Sequence, residues 1–160
     1  MDLDNWDVVV RLTLAAALGA IIGINRDMAG KAMGSRTLGL VSLSTASVAL
    51  AAVEIQGIGA NPDALSRIVQ GIIQGVMGGI SFIGAGVIIR NPQTHTVDGL
   101  TTAATVWATA ALGIACAFGA WLIVTVASVL ALVLLVAPSA SEKVGTKPAS
   151  STGEIDRNPG

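Results

Sequence analysis

The feature that most constrains this chain is Ile68–Ile89, a long apolar stretch without a charged residue. The hydrocarbon core of a membrane is about 30 Å thick, and roughly 20 apolar residues in helical form cross it with every backbone N–H and C=O paired. The stretch therefore indicates a transmembrane helix. The composition agrees, because 52% of the residues are hydrophobic and only 12% are charged, far from the values of soluble domains.

Further stretches have the length and composition of membrane helices. Thr37–Val53 is uncharged, and Gly99–Ala137 is long enough for two helices with a tight turn at residues 118–120. The first stretch, Asp7–Asn25, contains Arg11, whose aliphatic stem is expected to reach toward the lipid headgroups. The sequence thus predicts an all-α polytopic membrane protein, a bundle of about five transmembrane helices at residues 7–25, 37–56, 67–89, 99–117 and 120–137.

The last segment, residues 138–160, is rich in Ser, Gly, Pro and Lys and has almost no apolar residues. Such a composition buries too little apolar surface to repay the entropy of ordering. We therefore predict a disordered cytoplasmic tail after a transmembrane domain at residues 1–137. The start of the chain is acidic and lacks the basic region of a cleaved signal sequence, so the first apolar stretch is predicted to be retained.

Lysine and arginine in the short loops predict the orientation, because positive charge stays on the cytoplasmic side. The loop after the first helix contains Arg26, Lys31 and Arg36, and the tail contains Lys143 and Lys147. These two segments lie on the same side of the membrane if the number of helices is odd. We therefore expect a multi-pass protein of the bacterial inner membrane, with its N-terminus outside and its C-terminus in the cytoplasm.

The third helix carries glycine at every fourth position, at Gly71, Gly75 and Gly79, beside the polar pair Gln70 and Gln74. Lipid tails are as apolar as leucine, so membrane helices associate by close packing at small residues and by interhelical hydrogen bonds. The three glycines are therefore predicted to form a helix-packing or dimer face. The glutamines line either a polar cavity or a dimer interface, and the sequence does not separate these two interpretations.

The fourth helix opens with Thr101 and Thr102, and Thr101, Thr105 and Thr109 recur on one face. Threonine in a membrane helix usually bonds to the backbone of its own helix one turn back, which favours a structural role over a functional one. Trp107 lies too deep to be an interface anchor. Its indole N–H is therefore expected to bond within the bundle, with one of the threonines as the candidate partner.

Ionisable residues at a membrane are costly to place and are functional candidates for that reason. Arg36 and Thr37 open the second predicted helix, Arg67 opens the third and Arg90 closes it. Each arginine by itself is also consistent with a snorkelling residue at the interface.

Several classes of function are disfavoured. A net charge of −1 without a basic patch gives no attraction to nucleic acid. The sequence contains no nucleophile elbow, no phosphate-binding loop and no helical histidine pair. We therefore predict no enzyme activity, no catalytic residue and no cofactor. His95 and Cys116 are the single residues of their types and stand outside any ligand cluster. Whether a metal binds is left open.

Three groups of short motifs occur in a characteristic order. The first combines Gly23-Ile24-Asn25-Arg26 and Gly30 with Gly34-Ser35-Arg36-Thr37. The second is residues 67–71 followed by residues 79–88, and the third is residues 99–108, Gly-Leu-Thr-Thr-Ala-Ala-Thr-Val-Trp-Ala. Together they resemble the signatures of the MgtC/SapB family, in the family's order and at compatible spacing.

The chain departs from the family pattern at particular positions. Asn25 replaces the glutamate expected before Arg26, Ser81 stands where glycine is usual, and Asp98 stands where a basic or neutral residue is commoner. The segment between residues 70 and 82 is about one helical turn longer, which preserves the facing of the helix. The polar tail is too short for the folded cytoplasmic domain of the longer members, so the chain resembles the short, SapB-like form.

The resemblance implies a regulatory inner-membrane protein linked to magnesium-limited growth and, in intracellular pathogens, to survival and virulence. Such a protein modulates other membrane machinery, notably ATP synthase and transport systems, so the implied partners are the lipid bilayer and another membrane protein or a second copy. The alternative is a transporter or channel for magnesium or another solute. Magnesium usually needs carboxylates, and Glu54, Asp63 and Asp98 are the ones near the predicted helices.

Overall fold

The computed structural model describes residues 4–54, 62–90 and 97–137, with the backbone alone at positions 53, 54, 62, 89 and 90. Its helices are α1 (Asn5–Met28), α2 (Ser35–Glu54), α3 (Pro62–Val87), α4 (Leu100–Ala117) and α5 (Trp121–Val136). The all-α membrane fold predicted from the sequence is confirmed. The predicted tail at residues 138–160 and the loop histidine at position 95 lie outside the described residues.

Three of the described helices are long and apolar enough to cross a membrane, at Asn5–Met28, Asp63–Val87 and Leu100–Ala117. α5 is a shorter apolar helix of 16 residues. α2 is richer in serine and threonine and packs between α1 and α4. Polar side chains of this kind are placed at low cost inside a bundle, where they bond to backbone carbonyls instead of facing lipid.

Both α1 and α4 end in a glycine with a positive φ angle. Gly30, with φ of 61°, follows α1, and the Lys31 N–H bonds to the Arg26 carbonyl at 3.0 Å. Gly119, with φ of 68°, follows α4, and the Ala120 N–H bonds to a carbonyl of the last turn at 3.0 Å. This is the Schellman arrangement, which favours glycine because the left-handed conformation crowds a Cβ. The turn predicted at residues 118–120 is present.

The connection from α3 to α4 contains a short antiparallel ladder. Strand β1 (Ile89–Arg90) pairs with β2 (Val97–Asp98), with Ile89 opposite Asp98. α3 itself begins at Pro62, ahead of the predicted start at residue 67, because proline fits the first helical position, where no N–H partner is needed. Arg67 therefore lies inside the second turn of α3 and not at its start.

Helices that follow one another in the chain run in opposite directions, and the neighbouring helices α2 and α4 run parallel, so the bundle has two ends. One end contains the start of α1 and the α4–α5 turn, and we call it the Arg11 end. The other contains the α1–α2 loop and the start of α4, and we call it the Arg26 end. A Cβ at Gly23 would lie 2.3 Å from the Ser35 Cα, and a Cβ at Gly113 would lie 2.1 Å from the Thr45 Oγ1. The absent side chains let α1, α2 and α4 pack closely.

α3 lies at the edge of the bundle, against α4 and α2. Its inward residues, Val76, Met77 and Ile80, pack around a cluster that includes Ile22 and Leu38. The predicted helix-packing or dimer face makes no close contact among the described helices of this chain, because a Cβ added at each of its three positions would meet nothing within 4 Å. The three open positions are Gly71, Gly75 and Gly79. Gly71 and Gly75 face away from Ile80, and Gly79 lies about a quarter turn from it, so an interface with a second polypeptide stays a prediction.

Candidate functional site

At the Arg26 end, the last turn of α1 and the first turn of α4 meet through two polar side chains. The Arg26 guanidinium donates through Nη2 to the hydroxyl oxygen of Thr102. Both residues are buried, with Arg26 only 5% exposed. The Arg26 Nε has no hydrogen-bond partner in the part of the chain that the structure describes. The sequence singled out both residues, and the structure shows that they are partners.

The same end contains a cap that sequence analysis missed. The Asp27 carboxylate accepts a hydrogen bond from the Ser35 N–H at 2.9 Å, so the end of α1 caps the start of α2. A Cβ at Gly34 would lie 1.6 Å from an oxygen of this carboxylate, so the position has no room for a side chain. Carboxylates stabilise helix N-termini because the unpaired N–H groups carry partial positive charge. The available signal was a carboxylate separated from a helix start by a short glycine-containing loop.

Among the described residues no side chain caps the start of α4 in this way. Its N-cap residue, Gly99, has φ of 89° and makes no side-chain cap. A Cβ there would lie 1.9 Å from the Val87 carbonyl oxygen, so the close passage of the two chain segments requires glycine. The first N–H groups of α4 therefore keep their partial positive charge, and they lie beside the Arg26–Thr102 pair.

The other threonines of α4 behave as the sequence predicts for a membrane helix. Thr105 donates to the Thr101 carbonyl at 2.7 Å, and Thr109 donates to the Thr105 carbonyl at 2.8 Å. Thr105 and Thr109 are buried, whereas Thr101 is exposed. Thr102 differs from them because its oxygen accepts from a cation.

The indole of Trp107 finds its partner on α3. Its Nε1–H donates to the Ser81 Oγ at 3.3 Å, and Ser81 donates in turn to the Met77 carbonyl at 2.7 Å. The expectation that a threonine would accept this hydrogen bond is wrong. The reason is that Trp107 points toward α3, while Thr105 and Thr109 lie in the core and donate along their own helix.

A second buried arginine lies at the Arg11 end. Arg11 is 7% exposed, donates to the Ala117 carbonyl at 2.6 Å and lies 5.9 Å from the centre of the Trp121 ring. The expectation that Arg11 reaches toward the headgroups is wrong, because the end of α4 lies close enough to accept its hydrogen bond. A guanidinium at a helix C-terminus is favourable, since the unpaired carbonyls carry partial negative charge.

The remaining predicted site residues are not gathered at one place. Arg36 and Thr37 are exposed in the first turn of α2, at the Arg26 end. Arg67, Gln70 and Gln74 are exposed on the first half of α3, toward the Arg11 end. The two glutamines line an open groove along α3 together with Leu65, Ser66, Val69 and Ile73.

The last predicted site residue is Arg90, and the sequence leaves open whether a metal binds. Arg90 lies in β1, with its side chain outside the described residues. Within residues 4–54, 62–90 and 97–137 no group of three or more His, Cys, Asp or Glu side chains is arranged to hold a metal ion.

Comparison with known proteins decides the family. The sequence profile of the MgtC family matches residues 12–144. The chain belongs to the MgtC family. This confirms the resemblance carried by the three motif groups, and it places the Arg26–Thr102 pair within the family's region of similarity.

The chain is 44% identical to the SrpB protein of Synechococcus elongatus over 69% of its length. It is 34% identical to the MgtC protein of Salmonella typhimurium over 91% of its length, and 34% identical over 81% of its length to an Escherichia coli protein named "Putative magnesium transporter YhiD". The matches cover 63% of SrpB and 59% of each of the other two, so the chain spans about three fifths of these relatives. No solved structure matches.

Proposed function

We propose that this chain is a regulatory membrane protein that supports growth when magnesium is scarce by packing against another membrane protein of the bacterial inner membrane. The observation that carries the proposal is the open glycine face of α3, formed by Gly71, Gly75 and Gly79. Helices in lipid associate where small residues let two backbones approach closely. Within this chain α1, α2 and α4 use their glycines in that way, and α3 leaves its glycines unused.

The composition of the α3 face supports a protein partner. Phe82 is 84% exposed and lies on the same side of the helix as the glycines. A large ring beside a row of glycines forms a projection next to a groove, a shape that a second helix matches more closely than mobile lipid tails do. Family membership adds the link to magnesium-limited growth and to survival inside host cells. The predicted orientation, with the Arg26 end in the cytoplasm, belongs to the same proposal.

Transport is the second candidate function. The name of the relative YhiD describes a magnesium transporter, and the open groove with Gln70 and Gln74 on α3 offers polar groups to a solute. Amide oxygens alone make a weak magnesium site, because the ion sheds its water reluctantly and is usually held by carboxylates. A transport function therefore requires an assembly of several copies in which other oxygen ligands join the glutamines.

Site-specific photocrosslinking in living cells tests the regulatory function. A crosslinking amino acid at Phe82 is expected to capture one defined membrane protein, whereas the same amino acid at Leu122 of α5, which is 79% exposed, is expected to capture none. Gly75→Leu places a large side chain on the glycine face of α3. It is expected to abolish both the crosslink at Phe82 and the rescue of growth at low magnesium. Thr125→Leu, an exposed change on α5, is the matched control and is expected to leave both unchanged.

Flux measurements separate the two functions. Purified protein in liposomes is expected to take up no magnesium above the level of empty liposomes. Transport would be established if the liposomes take up magnesium, if Gly75→Leu leaves this uptake intact, and if changing Gln70 and Gln74 together to alanine abolishes it. The regulatory proposal would be contradicted if the Gly75→Leu variant rescued growth at low magnesium as completely as the unchanged chain does.

A further inference from the structure

The two buried arginines lie at opposite ends of α4, so they face opposite ends of its helix dipole. Arg11 lies at the C-terminus, where it donates to the Ala117 carbonyl and faces the Trp121 ring. Arg26 lies at the N-terminus, where the helix dipole is positive and repels a cation. Arg26 also belongs to the last turn of α1, whose unpaired carbonyls carry partial negative charge, so it lies between two helix ends of opposite sign.

Among the described residues Arg26 has no carboxylate partner, and only the partial negative charge at the end of α1 offsets its charge. Its hydrogen bond goes to the neutral hydroxyl of Thr102, and its Nε, like that of Arg11, lacks a partner among the described residues. The adjacent carboxylate, Asp27, is engaged as the cap of α2 at Ser35. A buried cation is retained at high cost unless an anion or several acceptors offset it. An anionic ligand at this end of the bundle would therefore stabilise the buried positive charge.

An apolar groove of about 400 Å³ begins beside this charge and runs along the outside of α4 and α5. Its mouth includes Thr101, the residue next to Thr102, and Ile22, one turn before Arg26 on the same face of α1. Farther along, small side chains such as Ala108 and Ala131 keep the groove open. Arg26 and Thr102 lie beside the residues that line one end of this groove, without lining it themselves.

We propose that this groove and the Arg26 site together bind an anionic phospholipid. The phosphate interacts with the Arg26 guanidinium, the Thr102 hydroxyl and the uncapped first turn of α4, and one acyl chain lies in the α4–α5 groove. Helix N-termini and arginines both suit phosphate groups. The observation that selects a lipid over a free anion is the position of the apolar groove, whose lining residues Ile22 and Thr101 are neighbours of Arg26 and Thr102.

Native mass spectrometry of the full chain in detergent micelles tests the site. Phosphatidylglycerol and phosphatidylcholine with the same acyl chains are titrated separately, and inorganic phosphate is titrated in a third series. The anionic lipid is expected to bind about tenfold more tightly than the zwitterionic one, the ratio that one charge-assisted interaction supplies. It is also expected to raise the melting temperature with increasing concentration, since it binds the folded state.

Variants that fill the α4–α5 groove distinguish lipid binding from the binding of an anion by charge alone. Ala108→Leu and Ala131→Leu leave Arg26 and Thr102 unchanged, and each is expected to weaken phosphatidylglycerol binding about tenfold or more. Ala111→Leu, at an exposed alanine of α4 that does not line the groove, is the matched control and is expected to bind as the unchanged chain does. Arg26→Gln is expected to remove the preference for the anionic lipid while binding of phosphatidylcholine continues.

Three results would overturn the proposal. Equal binding of the two lipids would show that the charge takes no part. If inorganic phosphate raises the melting temperature as much as phosphatidylglycerol does, and Ala108→Leu does not change this effect, the site binds a free anion instead. Unchanged lipid binding in both groove-filling variants would place the lipid elsewhere, and if Arg26→Gln does not fold, these variants still decide the question.

Discussion

The Arg26 guanidinium donates a hydrogen bond to the Thr102 hydroxyl, and this single contact joins the last turn of α1 to the first turn of α4. The two residues come from the first and third motif groups of the family, which are distant in the sequence. Their contact explains physically why both motifs belong to one site. It also makes the Arg26 end sensitive to changes that leave a buried cation without an acceptor.

Replacing Thr102 by valine keeps the shape of the side chain and removes the oxygen that accepts from Arg26. We expect this change to lower the free energy of unfolding by about 1–3 kcal/mol, because it leaves a buried cation without its partner. Thr101→Val, at the exposed neighbour, is expected to change it by less than about 0.5 kcal/mol. Unfolding by titration with a denaturing detergent measures both, and equal losses in the two variants would contradict the pairing.

Gly119 lies against the Arg11 guanidinium, since a Cβ there would be 3.0 Å from both terminal nitrogens. Gly119→Ala is expected to destabilise the protein by about 1–2 kcal/mol from its left-handed backbone alone, with a further cost from displacing Arg11. In an Arg11→Met background the second cost is expected to disappear. A double-mutant cycle on unfolding free energies measures the difference, and strictly additive effects would show that the two residues do not interact.

Glycines on the packed and open faces are expected to respond in opposite ways to alanine. Gly113→Ala places a methyl group against Thr45 and is expected to cost about 1–3 kcal/mol by overpacking. Gly75→Ala meets open space and is expected to raise the stability of the isolated chain by up to about 1 kcal/mol, because alanine favours the helix. Thermal unfolding in detergent compares the two. A loss of stability in Gly75→Ala would show that the α3 face is packed in the isolated chain.

Ser81 accepts the indole hydrogen bond of Trp107 and stands where the family usually has glycine. Ser81→Ala is expected to cost about 0.5–1.5 kcal/mol and to shift the emission of Trp107, measured in a chain whose Trp6 and Trp121 are replaced by phenylalanine. Ser47→Ala is the control, since its hydroxyl bonds only along its own helix, to the Leu43 carbonyl at 2.8 Å. Emission that shifts equally in both variants would rule out a specific Ser81–Trp107 bond.

The helices themselves were predictable because their requirement is local. The length and polarity of a stretch such as Ile68–Ile89 can be read directly from the sequence, and these two properties largely determine whether it forms a helix in lipid. The turn at residues 118–120 was predictable for the same reason, since glycine after a helix provides the left-handed residue that ends it. Arg26 and Thr102 were identified as candidates through motif order, although nothing in either motif showed that they touch.

The partners across the bundle were not predictable from spacing. Arg11 bonds to Ala117, which is 106 positions away in the chain. Trp107 bonds to a serine on α3 and not to a threonine on its own helix. Helical periodicity shows which residues share a face, but it contains no information about what lies opposite that face.

What the sequence determined by itself is that this chain forms apolar helices in a membrane and belongs to the MgtC family. The tertiary structure decided which glycines are packed, which acceptor each buried arginine finds and which face of each helix is exposed. In α2, Leu38 is fully buried and Leu40 is 62% exposed, although they are the same residue type two positions apart. A lipid environment is as apolar as the protein core, so hydrophobicity cannot distinguish inside from outside, and only the packed neighbours do.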